Sequence, residues 1–335
     1  DCIATREAMK DVMRFWLDVG CDGFRVDMAA SLIKNDDDNA ATAEIWRDVR
    51  EMLDRDYPKA ALVSEWSDPD KAINKSRFHM DFYLDHRGNG YNSLFRETSN
   101  NGSNLSFFSK QGRGNIMEFL DDYLPKYNVS KSAGYISFIT CNHDTPRMTL
   151  GYDISECKIA YSFLLTMPGV PFIYYGDEIG MQYFNLTSVE GGYSRTGTRT
   201  PMQWTNGKNL GFSNADREKL YLPVDDRDCA PTVESQEKDE KSLLNTVKKV
   251  LALRHQIPDL QAVPNFEVIY AKKGCYPFVY RRGKYFIAVN PSFREVEILL
   301  MEKGEPVFTI GNSTLKNGHL MMCGQSFAIF KSTQS

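Results

Sequence analysis

Apolar residues recur with helical spacing in some stretches of the chain and as short unbroken runs in others, and the two kinds alternate. Met9, Val12, Met13, Trp16 and Leu17 stand at i, i+3, i+4, i+7 and i+8, which predicts a helix over residues 6–19 with Gly20 as its stop. The run Asp22-Gly23-Phe24-Arg25-Val26-Asp27 predicts a strand. Ile45, Trp46, Val49, Met52 and Leu53 predict a helix over 41–55. Ala60-Ala61-Leu62-Val63-Ser64-Glu65 predicts a buried strand that ends in a carboxylate. The alternation continues with a strand at 78–84, a polar loop at 98–113, a helix at 114–124, a strand at 135–140, a helix at 155–167 and an apolar strand at 170–175. A long loop over about 181–237 follows. Leu243, Leu244, Val247, Val250 and Leu251 mark a last helix.

These elements make five strand–helix units preceded by one orphan helix. Repeating βα units imply an α/β fold with a parallel sheet covered by helices, as in part of a (β/α)8 TIM barrel. After Pro258 the pattern changes. Phe278-Val279-Tyr280 and Tyr285-Phe286-Ile287-Ala288-Val289 flank Arg281-Arg282-Gly283-Lys284, a hairpin signal, and short strands continue to the end. Residues 1–257 are therefore expected to form the α/β part, and 258–335 a small antiparallel β-sandwich domain.

Composition narrows the function classes. The chain has 335 residues, 42% hydrophobic and 25% charged, with a net charge of −4. That balance, without a basic run, points away from nucleic acid and from anionic membranes as partners. No stretch of about 18 apolar residues predicts a membrane-spanning helix. The seven cysteines stand singly at 2, 21, 141, 157, 229, 275 and 323, with no CxxC pair and no metal-ligand spacing. Dispersed cysteines of this kind read as reduced core thiols and favour a cytoplasmic setting. The chain starts at Asp1 with neither Met nor a leader-like segment, so the natural N-terminus is expected upstream.

The candidate chemistry lies at the C-terminal ends of predicted strands, where barrel enzymes carry their functional groups. Asp27, Glu65 and the pair His143 and Asp144 all fall there. Caps of the following helices are the alternative for each one singly, but not for all together. Arg25 and Asp27 stand two apart on one strand and point to the same face. A neighbouring Arg orients a nucleophilic carboxylate, and the same pair also reads as a structural ion pair.

Gly23-Phe24-Arg25-Val26-Asp27 resembles the nucleophile strand of the α-amylase superfamily, glycoside hydrolase family 13. Leu62-Val63-Ser64-Glu65-Trp66 resembles that family's acid/base strand, and Phe138-Ile139-Thr140-Cys141-Asn142-His143-Asp144 its Asn-His-Asp strand. The order agrees, with 38 residues from Asp27 to Glu65 and 79 from Glu65 to Asp144. Pro168-Gly169-Val170-Pro171-Phe172-Ile173-Tyr174-Tyr175-Gly176-Asp177-Glu178 resembles the last barrel strand. Arg199-Thr200-Pro201-Met202-Gln203-Trp204 resembles a loop of the α-glucosidase and trehalose-synthase-like branches, near the site there.

The resemblance implies a retaining hydrolase of α-glucosidic bonds in α-glucans or short α-glucosides. Asp27 would attack the anomeric carbon, and Glu65 would protonate the leaving oxygen and then deprotonate water. Asp144 and His143 would bind sugar hydroxyls, Arg25 would hold Asp27, Trp66 would stack on a sugar or pack in the core, and Arg147 would bind substrate or pair with an acid. Met28 leaves α-1,4 against α-1,6 preference open. The resemblance also implies that three βα units and an inserted domain precede Asp1, with a further sugar-binding His and, where the family has it, a structural calcium. No cofactor or metal ligand is read from the residues present. The partner expected besides substrate is the missing N-terminal half of the barrel, without which the chain would be inactive. A transglycosylase or isomerase using the same intermediate, and a non-catalytic amylase-like fragment, are the other readings.

Overall fold

The computed structural model describes residues 2–187 and 194–333, so part of the expected 181–237 loop, residues 188–193, lies outside the described residues. The chain forms two compact units. The first holds the residues up to Leu84 together with Asp121–Phe138, and the second holds Asp85–Leu120 and everything from Ile139 on.

The first unit is built on a parallel sheet. Helix α1 (Ile3–Val19) is followed by strand β1 (Gly23–Val26), helix α2 (Ala40–Asp56), strand β2 (Ala61–Ser64) and strand β3 (Met80–Tyr83). Strand β4 (Tyr135–Phe138) completes the sheet, whose order is β1-β2-β3-β4 with every pair parallel. Gly23 allows the closest of these approaches. Its φ is +147°, and a Cβ placed on it would lie 2.0 Å from the carbonyl oxygen of Ala61, so any side chain there would push β1 off β2. Trp46, Val49, Met52 and Leu53 of α2 pack on Leu62 and Phe78 in one cluster, as their helical spacing predicts. Asp36 caps α2 by accepting from the amides of Ala41 and Thr42, at 3.1 and 2.7 Å.

Helix α1 departs from its expected role. It starts three residues earlier than predicted and ends as predicted at Gly20, whose φ of +116° is left-handed. Of the apolar stripe only Leu17 is buried, while Met9, Val12 and Trp16 are exposed at 57%, 47% and 49%. Periodicity identifies an apolar face; it does not supply a partner for it.

The second unit begins with helix α3 (Gly90–Phe95). Helix α4 (Ile116–Ser130), which belongs to the first unit from Asp121 on, runs past the expected end at 124 and contains Pro125 in its interior. A proline there forfeits a backbone hydrogen bond at a cost of about 3 kcal/mol. The helix is held beyond it by buried Tyr127, whose ring stacks on Tyr123 at 5.6 Å. Helix α5 (Ile154–Thr166) starts in a capping box made by Asp153 and Glu156. The expected strand at 170–175 is not one: the segment pairs with no strand among the described residues. An apolar run makes a strand only if a neighbour offers a ladder, and here the backbone groups go elsewhere. The Tyr174 carbonyl accepts from Asp177 in a turn, and the Tyr175 carbonyl accepts from the Arg147 side chain. Among the described residues the parallel sheet therefore has four strands where five were expected.

Two further helices, α6 (Val233–Glu237) and α7 (Leu243–Gln256), precede the antiparallel part. Strands β5 (Phe266–Tyr270), β6 (Phe278–Arg282), β7 (Tyr285–Asn290), β12 (Ser326–Ser332) and β9 (Gly304–Ile310) form one sheet in that order. Strands β10 (Ser313–Lys316), β11 (His319–Met322) and β8 (Val296–Leu299) form the other. Val279, Phe286, Ala288 and Phe330 of the first sheet and Leu320 and Met322 of the second share one core. The predicted hairpin is the β6–β7 pair, with Arg282 opposite Tyr285.

The bare stripe of α1 has a measurable consequence. The 335-residue chain alone is expected to associate as its concentration rises through the micromolar range, because a contiguous apolar patch of this kind is rarely left in water. Val12→Glu with Trp16→Glu should shift sedimentation towards monomer without lowering helicity; unchanged association in the double variant would mean the stripe is not the contact.

Candidate active site

The ends of β1 and β2 place three charged side chains together. Glu65 follows β2, and its amide donates to the Val26 carbonyl at 3.0 Å, so Asp27 and Glu65 leave adjacent parallel strands at one level. Arg25 joins them. One terminal guanidinium nitrogen donates to Asp27 Oδ1 at 2.5 Å, and the other forms an ion pair with Glu65 Oε1 at 2.6 Å. The second Glu65 oxygen accepts from the Met28 amide at 3.2 Å. That amide is turned inward because Met28 has a φ of +42°, in the left-handed region that non-glycine residues avoid, a form of strain that concentrates at functional sites. The two carboxylates differ in setting: the Asp27 side chain is 71% exposed and Glu65 18%. Solvent reaches the first, while the second is shielded and held at both oxygens.

Beneath Glu65 lies Asp81 of β3, which is fully buried. Its Oδ1 accepts from the Ser64 hydroxyl at 2.7 Å and from the Ser67 amide at 3.2 Å. Burial pushes its carboxyl up to about 7, and the hydrogen bonds from Ser64 and Ser67 oppose that shift only in part. Trp66 packs half-buried against the α2–β2 core of this unit, the second of its two expected readings.

In the second unit, Asn142 Oδ1 accepts from the amides of Asp144 and Thr145 at 2.8 and 2.9 Å, a side-chain turn that presents His143 and Asp144 outward. Both are roughly two-fifths exposed, and His143 Nε2 lies 3.1 Å from Asp144 Oδ2. Arg199 fixes the pair: its Nε donates to the His143 carbonyl at 2.8 Å and a terminal nitrogen to Asp144 Oδ1 at 2.8 Å. Arg195 stands 3.6 Å from the same oxygen.

Arg147 is placed otherwise than expected for a sugar-binding residue. It has no exposure, donates to Asp177 Oδ1 at 2.9 Å and to the carbonyls of Tyr175 and Thr198, and lies 5.0 Å over the rings of both Tyr174 and Tyr175. Asp177 in turn accepts from Thr140 Oγ1 at 2.7 Å. A guanidinium enclosed in this way braces the loops around residues 140, 175 and 198 and has no face left for substrate. Its expected alternative, pairing with an acid, is the one the packing realises.

Sequence reasoning missed Arg199, Asp177 and Asp81. Arg199 stood in a motif already singled out as near the site, so its charge opposite Asp144 was the available signal. Asp81 sits in an ordinary Met-Asp-Phe-Tyr run with nothing to mark it. Among the described residues no three His, Cys, Asp or Glu side chains gather as a cation site, and no helix is long and apolar enough to cross a membrane.

Comparison with known proteins places this geometry in a family. Residues 3–262 match the model of the alpha amylase catalytic domain. The trehalose synthase/amylase TreS of Mycolicibacterium smegmatis is 29% identical over 303 residues, covering 75% of this chain and 47% of that protein. The salivary alpha-glucosidase of Aedes aegypti is 32% identical over 297 residues, covering 75% and 49%. The chain thus spans about half the length of the curated relatives it matches. Among solved structures, the isomaltulose synthase of Erwinia rhapontici superposes with a TM-score of 0.79 at 18% identity, covering all of this chain and 69% of that one. The alpha-amylase of H. orenii superposes with a TM-score of 0.76 at 23% identity, covering 99% and 65%. These likenesses bear out the expected fold class, βα units of an amylase-type barrel followed by antiparallel strands. With Asp27 and Glu65 at the ends of adjacent parallel strands, and three-quarters of its residues matched by one catalytic-domain model, the chain belongs to the alpha-amylase family.

Proposed function

We propose that the protein carrying these residues is a retaining hydrolase of α-glucosidic bonds in α-glucans or short α-glucosides. Asp27 is the nucleophile and Glu65 the general acid/base. The observation that carries the reading is the Arg25 fork. A planar guanidinium that touches both carboxylates keeps them close, which supports the roughly 5–5.5 Å spacing of a retaining pair. The difference in exposure supports the division of roles: the open Asp27 can meet an anomeric carbon, while the enclosed Glu65 is fixed in direction, as a proton donor to one leaving oxygen must be.

His143 and Asp144 bind sugar hydroxyls in this mechanism, with Arg199 setting their orientation. Arg25 positions both carboxylates. Arg147, enclosed by protein, supports the loops instead of touching sugar, and half-buried Trp66 packs on the core of its unit. A second reading has an observation of its own: a trehalose synthase/amylase is among the sequence relatives. The same covalent intermediate serves transfer to a sugar hydroxyl as well as hydrolysis. The ratio of glucose to rearranged disaccharide released from maltose or sucrose separates the two. The cysteines stand as free thiols among the described residues, which fits a reducing, cytoplasmic setting.

Asp27→Asn is expected to leave the fold intact and to reduce turnover of p-nitrophenyl α-glucoside in the whole protein below about a hundredth of wild type, since loss of a nucleophile costs orders of magnitude. Greater residual turnover would reject Asp27 as nucleophile. Glu65→Gln should discriminate between leaving groups. Maltose, which needs protonation of its leaving oxygen, should lose far more kcat/KM than α-glucosyl fluoride, which needs little. Equal losses on the two would remove Glu65 from the acid role.

A further inference from the structure

Asp81 takes no part in the chemistry just proposed, yet it is an acid buried where burial is expensive. Neither neighbour across the sheet carries charge: Ser64 stands beside it on β2 and Ile136 on β4. The charge that acts on it, that of Asp68, has its own sign. Its Oδ2 is buried without a hydrogen-bond partner. Such a group costs free energy that an apolar residue on a buried strand would not. Packing alone gives no reason for an acid at this position.

The Oδ1 contacts supply the reason. Ser64 and Ser67, which donate at 2.7 and 3.2 Å, are the first and last residues of the turn Ser64-Glu65-Trp66-Ser67. One oxygen atom thus staples both ends of the four-residue segment that carries Glu65. The segment needs a staple, because Ser67 has a φ of +65°, left-handed for a residue with a side chain. A second tie from the same strand end reinforces it: the Leu84 amide donates to Ser67 Oγ at 3.1 Å. From the other side Glu65 is gripped by Arg25 and the Met28 amide. We propose that Asp81 is the positioning residue for Glu65, fixing from β3 the turn that aims the acid/base carboxyl.

Either protonation state of Asp81 provides the accepting oxygen, so the staple needs an oxygen at Oδ1 and not a charge. With its carboxyl pushed up to about 7, a good part of Asp81 is neutral near pH 7, which lowers the cost of keeping it buried. An amide should therefore replace it, and a hydrocarbon of similar size should not.

The inference rests on the acid/base assignment of Glu65, and the experiment keeps the two apart. In the whole active protein, Asp81→Leu is expected to lower kcat/KM for maltose, which reports the acid-assisted first step, by about thirtyfold or more, as misplacement of a catalytic group by about 1 Å does. For α-glucosyl fluoride the loss should stay within about threefold, because that leaving group bypasses the acid. Asp81→Asn should restore maltose turnover to within about threefold of wild type, by keeping the accepting oxygen. Hydrogen exchange at the Ser67 amide, read on the same samples, should be at least about tenfold faster in Asp81→Leu and near wild type in Asp81→Asn. Should Asp81→Leu fail to fold, Ser64→Ala removes one donor of the staple and must show the same split between substrates in smaller degree. Equal losses on both substrates, or unaltered Ser67 exchange, would overturn the proposal. Glu65→Gln in the same assay is the reference: if it shows no split, the acid assignment falls, while the Ser67 exchange still reports whether the staple exists.

Discussion

Arg25 reaches two carboxylates with one guanidinium, and the order of the carboxylate-bearing edge depends on that contact. Two acids leaving adjacent strands at the same level repel each other, and neither would keep a fixed direction without a cation between them. A guanidinium answers this need better than an ammonium, because its planar fork sets the angle to each partner as well as the charge. The placement begins in the backbone. Gly23 lets β1 close on β2, parallel pairing sets Val26 beside Ser64, and the left-handed turn at Met28 brings an amide to the second oxygen of Glu65. Asp81 completes the grip from β3. Each contact is modest alone, but together they leave Glu65 little freedom, which is the form of preorganisation that acid catalysis requires.

The second unit solves a different problem with a different arginine. Arg147 and Asp177 are buried together, and Thr140 and the carbonyls of Tyr175 and Thr198 take up most of their hydrogen bonding, with Arg147 Nε left without a partner. A buried pair of this kind is weak evidence for net stability, but losing one partner costs about 3–5 kcal/mol because the other is left charged and dry. Its effect is to specify how three loops meet. Arg199 then acts at the surface of the same unit, on partly exposed Asp144 and His143, where a residue can both orient a ligand-binding group and remain within reach of ligand.

Much of this was legible in the sequence, and the limits have physical causes. The strand ends bearing Asp27 and Glu65 could be read because a carboxylate closing a short buried run is costly unless it is used, and the order of three such motifs identified the family. Helix α2 followed from the 3.6-residue period of its apolar residues. What failed depended on partners distant in sequence. The run at 170–175 has the composition of a strand, but its carbonyls are taken by a turn and by Arg147. Helix α4 continues through Pro125 because tertiary packing of Tyr123 and Tyr127 outweighs a local breaker. Arg147 looked equally suited to sugar or to an acid, and only burial decides between them. Asp81 was invisible because its significance lies in two hydrogen bonds to another strand and turn, which no pattern along the chain records.

The mechanism stands or falls on a covalent bond between Asp27 and the glucosyl group. A fluorinated α-glucosyl fluoride that forms this intermediate faster than it is hydrolysed, followed by digestion and mass spectrometry of the whole protein, reads that bond directly. One glucosyl adduct is expected, on the peptide containing Asp27 and at that carboxylate, with retention of the anomeric configuration in the product released from normal substrate. An adduct on Glu65, or inversion of the anomeric configuration, would contradict it.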